Sequence, residues 1–234
     1  MSCVTGAWRA QRRMFATNMK PTAVRDVYDR LLISHGPQRW WPAETPFEVM
    51  IGAILTQNTA WSNVERAIER LRGRCALDAE ALLALPENEL ADAIRPAGYF
   101  NVKARRLRAF CVAFDAAGGF ESWSALSTPE LRKVLLVING VGPETADDIL
   151  LYAFERPVFV VDAYTRRIFE RLGLLAGGET YETVRAAFEQ ALGPDTELFN
   201  HYHALIVQHG KDICRARRPA CADCCLRERC PAAA

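Results

Sequence analysis

The chain has 234 residues, of which 50% are hydrophobic and 24% charged, and its net charge is +1. These values fit an ordinary globular protein of one large domain or two interleaved lobes. No apolar run approaches the ~20 residues needed to span a bilayer, and a neutral chain offers no bulk electrostatic argument for nucleic acid.

The first stretch, Met1 to Lys20, is basic (Arg9, Arg12, Arg13, Lys20) without an apolar centre. It therefore reads not as a secretory signal but as a flexible tail over residues 1–19, with a true start at Met14 or Met19 as the alternative. Thr22 to Ser34 carries Val24, Val27, Tyr28, Leu31 and Leu32 at helical spacing, and Gly36-Pro37 ends it. A helix is expected over Pro46 to Leu55 and another over Ser62 to Arg72, separated by the polar patch Thr56-Gln57-Asn58-Thr59. Thr128-Pro129-Glu130 combines a hydroxyl N-cap, a proline at the first helical position and an acid in the first turn, starting a helix that runs to about Ile138. The next helix starts at Pro143 and places Ala146, Ile149, Leu150 and Ala153 on one face. The only β-like run, Pro157 to Val161, has no second strand pattern to pair with, so it reads as an extended connector into a helix over Ala163 to Leu172, closed by Gly173. The expected class is all-α.

Four cysteines near the end follow the pattern Cys214-x6-Cys221-x2-Cys224-x5-Cys230. Soft thiolates select iron–sulfur clusters or zinc. The outer spacings are too wide for paired zinc knuckles and suit a larger, cube-shaped cluster, with a zinc site as the alternative. Eight cysteines without a secretion signal imply a reducing cytosol and argue against a disulfide framework. Cys225 adjoins one of the four and blurs the assignment slightly, while Cys3, Cys75 and Cys111 read as ordinary thiols. The basic loop Arg215-Ala216-Arg217-Arg218 lies between the first two ligands. A second basic zone, Ala93 to Phe114, has no acidic residue and carries Arg95, Lys103, Arg105, Arg106 and Arg108. Together the two zones suggest a footprint on phosphates, with solvated helix faces as the plainer reading.

Between two helices sits Ile138-Asn139-Gly140-Val141-Gly142-Pro143. Its two glycines permit a tight turn with positive φ and close approach of another backbone. The amides of Gly140 and Gly142 then face outward at a helix start, a geometry that suits a phosphate and reads no base.

This hairpin, the downstream Val160-Val161-Asp162 and the terminal four-cysteine loop, entered through His209-Gly210-Lys211-Asp212-Ile213-Cys214, resemble the endonuclease III-like helix-hairpin-helix DNA glycosylases in order and spacing. The resemblance covers roughly residues 20 to 231. It implies two helical lobes with DNA in the cleft between them: a six-helix lobe over 38–156, and an iron–sulfur lobe joining 20–37 to 157–234. It implies a 4Fe-4S cofactor held by Cys214, Cys221, Cys224 and Cys230, a structural role for that cluster, and duplex DNA with damaged bases as the partner. By analogy the protein is a cytoplasmic, nucleoid-associated monomer that binds no membrane.

Asp162 precedes a helix and reads first as its N-cap. The resemblance adds a catalytic role, because the family's catalytic aspartate occupies this position. Bifunctional members place a nucleophilic lysine two residues after the hairpin's second glycine. Here that residue is Glu144, which cannot form a Schiff base, and neither Lys133 nor Lys211 matches the position. A monofunctional glycosylase with weak or absent lyase activity is therefore expected. Trp40-Trp41-Pro42 with Trp61 is similar to the 3-methyladenine branch, in which such residues wall an aromatic slot around the flipped base. Alkylated purines are cationic, and indoles attract cations. The family's gap-filling glutamine matches Gln57, and Tyr99 is the candidate second wedge, with Lys103, Arg105 and Arg106 beside it to hold the bent strand. His35, His201, His203 and His209 read as packing or surface residues. The alternatives are an endonuclease III acting on oxidised pyrimidines or mismatches with residual lyase activity, and a non-catalytic DNA-damage-binding protein.

Overall fold

The computed structural model describes residues 19–38 and 40–233. Apart from Met19, the expected tail lies outside them. All regular structure among the described residues is helical. The chain divides into two compact units, one running Trp41–Arg156 and the other joining the chain before Trp41 to the chain after Arg156. No helix among the described residues is long and apolar enough to cross a membrane.

The second unit begins with α1 (Pro21–His35), whose buried face is Val24, Val27, Tyr28 and Leu31. It resumes at the connector after Arg156. Val158 to Val161 are all buried, so the run expected to be extended is apolar because it threads a core. There follow α10 (Ala163–Arg171), α11 (Tyr181–Leu192) and α12 (Thr196–Asp212). Phe159 stacks on Phe188 with ring centroids 4.0 Å apart and meets Phe199 edge-on at 5.4 Å. Tyr202 is wholly buried and its hydroxyl donates to the Val24 carbonyl at 2.7 Å, tying α12 to α1.

The contiguous unit is built on α2 (Pro46–Leu55), in which every residue from Glu48 onward is buried. Thr45 caps it by accepting from the Glu48 amide at 3.1 Å. It is surrounded by α3 (Trp61–Arg72), α4 (Ala79–Ala84), α5 (Glu87–Ala93), α6 (Phe100–Ala116), α7 (Gly119–Ser124), α8 (Thr128–Leu136) and α9 (Pro143–Asp148). This gives eight helices where six were expected. Pro86 separates α4 from α5, and the positive-φ pair Gly118-Gly119 (φ 88° and 77°) separates α6 from α7.

Two boundaries differ from expectation. The cap of α8 is Ser127, not Thr128: Ser127 and Glu130 form a reciprocal capping box, which moves proline to the second helical position. The helix also ends at Leu136, two residues early. Past α9 the helix widens into a π-helical turn over Ile149–Ala153. Such widening is common near functional positions, and here it carries Tyr152.

Candidate active site and metal centre

The hairpin between α8 and α9 closes through the Val141 amide, which donates to the Ile138 carbonyl at 3.0 Å. Only Gly140 uses positive φ (90°). Gly142 is extended at φ −93° and serves as the N-cap of α9, so the expectation of a left-handed turn applies to one glycine, not two. Gly140 is also required sterically: a Cβ there would lie 2.2 Å from Arg106 Cγ. Among the described residues no backbone carbonyl accepts from the amides of Gly140 or Gly142. Such amides at a helix start are ready donors for an anion.

Gln57 is tied to this hairpin. Its Nε2 donates to the Gly140 carbonyl and to Thr145 Oγ1, both at 2.9 Å, and its Oε1 accepts from Arg106. The residue expected to fill the gap in the base stack is also a strut between the α2–α3 turn and the hairpin. Tyr99 does stand out. It is 73% exposed, and as the N-cap of α6 it holds a left-handed conformation at φ 46°. A bulky residue there is strained backbone.

The basic zone is largely spent on the fold. Lys103 is 1% exposed, and its ammonium donates to the Leu55 and Ala97 carbonyls at 2.8 Å each, so its placement on a DNA strand is incorrect. These carbonyls belong to a helix end and a short 3-10 turn that would otherwise be buried without partners. Burial and then the nearby Arg106 charge lower the Lys103 pKa to about 8. Arg108 likewise donates to the Leu83 and Leu85 carbonyls, and Arg95 pairs with Asp92 at 3.1 Å. Arg105 remains on the surface.

Trp41 lies against α2. A Cβ on Gly52 would be 3.2 Å from its Cζ2, so the missing side chain is what admits the indole. The ring meets Trp61 edge-on at 4.9 Å and Tyr152 at 5.3 Å. Trp61 donates through Nε1 to Glu65 at 2.8 Å. Tyr152 is the member that sequence reasoning missed, since a lone tyrosine in an apolar helix carries no signal of its own. Pro42 is exposed, while Trp40 is half-buried and is counted with the other compact unit.

In that other unit, Asp162 is the N-cap of α10 and is about nine-tenths buried. Its Oδ1 accepts from the Thr165 amide at 2.7 Å and from Thr165 Oγ1 at 2.8 Å. Capping therefore engages one oxygen and leaves Oδ2 for other work, 3.6 Å from His203 Nε2. Burial pushes this carboxyl's pKa up, but His203 and the two Thr165 donors outweigh it, and the net shift is downward. The carboxylate is ionised at neutral pH. His203, expected to be a packing or surface residue, is buried, and it lies beside the aspartate.

The four cysteines of the terminal pattern line one cavity of about 150 Å³, with Arg171, Ile213 and Pro219. Arg171 organises it from α10. Its guanidinium donates to Cys214 Sγ at 3.1 Å, to the Arg215 and Ala216 carbonyls at 2.9 Å, and to the Cys214 carbonyl at 3.4 Å. Arg167 adds bonds to the Cys214 and Gly210 carbonyls at 2.9 Å. Four thiols around a void of this size fit a polynuclear group, and Arg171 sets a fixed cation beside the Cys214 sulfur. Arg215, Arg217 and Arg218 are exposed. Neither Arg167 nor Arg171 could be singled out in advance, because their partners lie more than forty residues away.

Residues 51–194 match the family described as HhH-GPD superfamily base excision DNA repair protein. The chain belongs to this superfamily. A protein of Methanocaldococcus jannaschii, named as a candidate DNA repair glycosylase, is 47% identical over 209 residues, spanning 87% of this chain and 94% of the relative. Endonuclease III of Rickettsia conorii is 32% identical over 184 residues, 79% of this chain and 83% of that one. Among solved structures, an endonuclease III–DNA complex shares the fold with a TM-score of 0.79 at 23% identity, covering 92% of this chain and 96% of that one. A 3-methyladenine DNA glycosylase from H. pylori, bound to 1,N6-ethenoadenine, matches with a TM-score of 0.69 at 27% identity, covering 84% and 98%. The HhH-GPD member described here is thus an all-α DNA glycosylase of base excision repair, endonuclease III-like in family.

Proposed function

We propose that this HhH-GPD glycosylase releases alkylated purines of the 3-methyladenine type from duplex DNA, and that it does so by hydrolysis alone. The observation that carries the substrate reading is the trio Trp41, Trp61 and Tyr152, packed where Gly52 leaves room for the first indole. Aromatic faces attract a cationic base by ~0.5–2 kcal/mol each. The likeness to a 3-methyladenine glycosylase supports the same reading.

The chemistry is within reach of the residues present. The base must leave the stack to be reached. The N-glycosidic bond then breaks with its electron pair going to the base, which departs neutral because it began positive. Asp162 Oδ2 stabilises the cationic sugar and orients a water whose oxygen bonds the anomeric carbon, with its proton passing to the carboxylate or solvent. No general acid is needed. Glu144, in the first turn of α9, supplies no amine for a covalent intermediate. Gly140, Val141 and Gly142 hold a phosphate by their backbone, Arg105 and the loop of Arg215, Arg217 and Arg218 add charge, and Tyr99 is the wedge. Gln57 braces the hairpin and fills the gap left by the flipped base.

Cys214, Cys221, Cys224 and Cys230 hold a 4Fe-4S cluster in this reading. With four protein thiolates it supplies a cross-link and has no open coordination position. The enzyme then works as a cytoplasmic monomer.

The endonuclease III relatives leave a second reading, the one the family resemblance carries, of oxidised pyrimidines or mismatches with residual lyase activity. Two duplexes separate them, one methylated and one carrying oxidised thymine, assayed with and without alkali. Free methylpurine with strand breaks only after alkali is expected. Release of the oxidised base with direct cleavage would overturn both halves of the proposal.

A further inference from the structure

Beside the four-cysteine cavity lies a second set of donors. His35 ends α1, His209 sits in the last turn of α12, and Cys225 follows Cys224 in the terminal loop. One ligand atom from each lies within 4.8 Å of the others. Cys225 is not one of the four cysteines of the terminal pattern, so its thiol is left for another task. We propose that His35, His209 and Cys225 form a separate site for a single ion of the zinc class, next to the centre built by Cys214, Cys221, Cys224 and Cys230.

The geometry suits an ion that would take the place of one hydrogen bond. His35 Nε2 and His209 Nδ1 are hydrogen-bonded to each other at 3.0 Å. Zinc–nitrogen bonds of ~2.0–2.1 Å set a tetrahedral edge of roughly 3.3 Å between two imidazole nitrogens, so the two rings already stand near the required separation. The other nitrogen of His209 points elsewhere: Nε2 is 3.5 Å from Cys224 Sγ. A ring that donates N–H there presents its Nδ1 lone pair toward His35. This is the arrangement by which a ligating histidine is oriented through its second nitrogen. Two imidazoles and one thiolate suit zinc or another borderline-soft ion, not calcium or magnesium. Three protein donors leave a fourth position for water.

Such an ion would join α1, α12 and the terminal loop at one point, although His35 and His209 are 174 positions apart. It would also touch the neighbouring centre through one shared imidazole. The proposal rests on the reading that Cys224, not Cys225, serves the four-cysteine centre.

Native mass spectrometry of the brown, cluster-bearing protein tests it, after dialysis against Zn²⁺ and removal of excess metal. One zinc above the cluster-bearing mass is expected for the wild type and none for Cys225→Ala or His35→Ala, each still carrying the cluster. His35→Ala touches none of the four cysteines and keeps the test readable if Cys225→Ala folds poorly. Zinc should also raise the Tm of the wild type and not that of His35→Ala. A colourless protein holding two zinc ions, falling to one in either variant, would keep this site while ending the iron–sulfur reading. No retained zinc in the wild type would overturn the proposal. So would equal zinc in all three proteins, or zinc gained only as cluster mass is lost.

Discussion

Asp162 Oδ2 and His203 Nε2 face each other across 3.6 Å, with the carboxylate's other oxygen, Oδ1, committed to Thr165. One residue therefore caps α10 with Oδ1 and keeps Oδ2 ionised for chemistry. Asp162→Asn should lower base release by ~10²–10⁴-fold while leaving DNA binding and Tm nearly unchanged, because asparagine is as good an N-cap. Asp162→Ala should also cost about 1 kcal/mol of stability. Unchanged release in the asparagine variant would remove Asp162 from the mechanism.

The depressed pKa of Asp162 has a sign that can be measured. Its ionised form is the active one, so the acid limb of the pH–rate profile should lie below the ordinary aspartate value of about 3.9. Its contribution to stability is present above that value and lost as pH falls through the folded pKa. His203→Gln should move the acid limb upward. A profile identical to wild type would show that the pair is not coupled.

Glu144→Lys restores an amine two residues after Gly142. The variant should form a borohydride-trappable adduct with abasic-site DNA, which the wild type should not. Trapping by the wild type itself would show that another amine performs the lyase step.

Trp61→Leu removes one ring that contacts Trp41. It should lower kcat/KM for a methylated, cationic purine by roughly 2–30-fold, the equivalent of ~0.5–2 kcal/mol of cation–π attraction, and affect a neutral lesion less. Equal losses on both substrates would point to packing instead.

Lys103 and Arg105 should separate cleanly. Lys103→Met leaves the Leu55 and Ala97 carbonyls without their donor and should cost ~1–3 kcal/mol, with no change in the salt slope of DNA binding. With its folded pKa near 8 against an unfolded value of about 10.4, the wild-type lysine binds fewer protons folded than unfolded between these values. Wild-type stability should therefore gain from this group as pH rises through that window, and the variant should lack the gain. Arg105→Ala should do the reverse: weaker binding, a shallower salt slope and little change in Tm.

The features legible in the sequence are those written within a few contiguous residues. The four-cysteine spacing, the Gly-Val-Gly turn and an aspartate before a helix each state a backbone or ligand requirement locally, and the apolar periodicity of Pro46 to Leu55 marks a helix wherever it packs. Even so, Ser127 and Thr128 offer the same hydroxyl one residue apart, and only the reach of Glu130 back to Ser127 chooses between them.

Side-chain partnerships were decided by the tertiary structure. A basic stretch looks alike whether its cations meet phosphates or carbonyls. Packing of α6 against the end of α2 buried Lys103, because helix-end carbonyls out of water need donors. That Gln57 also braces the hairpin, more than eighty residues on, is visible only once its amide's partners are placed. His203 beside Asp162, Tyr152 beside Trp41 and His35 beside His209 follow the same rule. Local geometry is set by neighbours in the chain, whereas the partner of a long polar side chain is set by which distant helix packs within its reach.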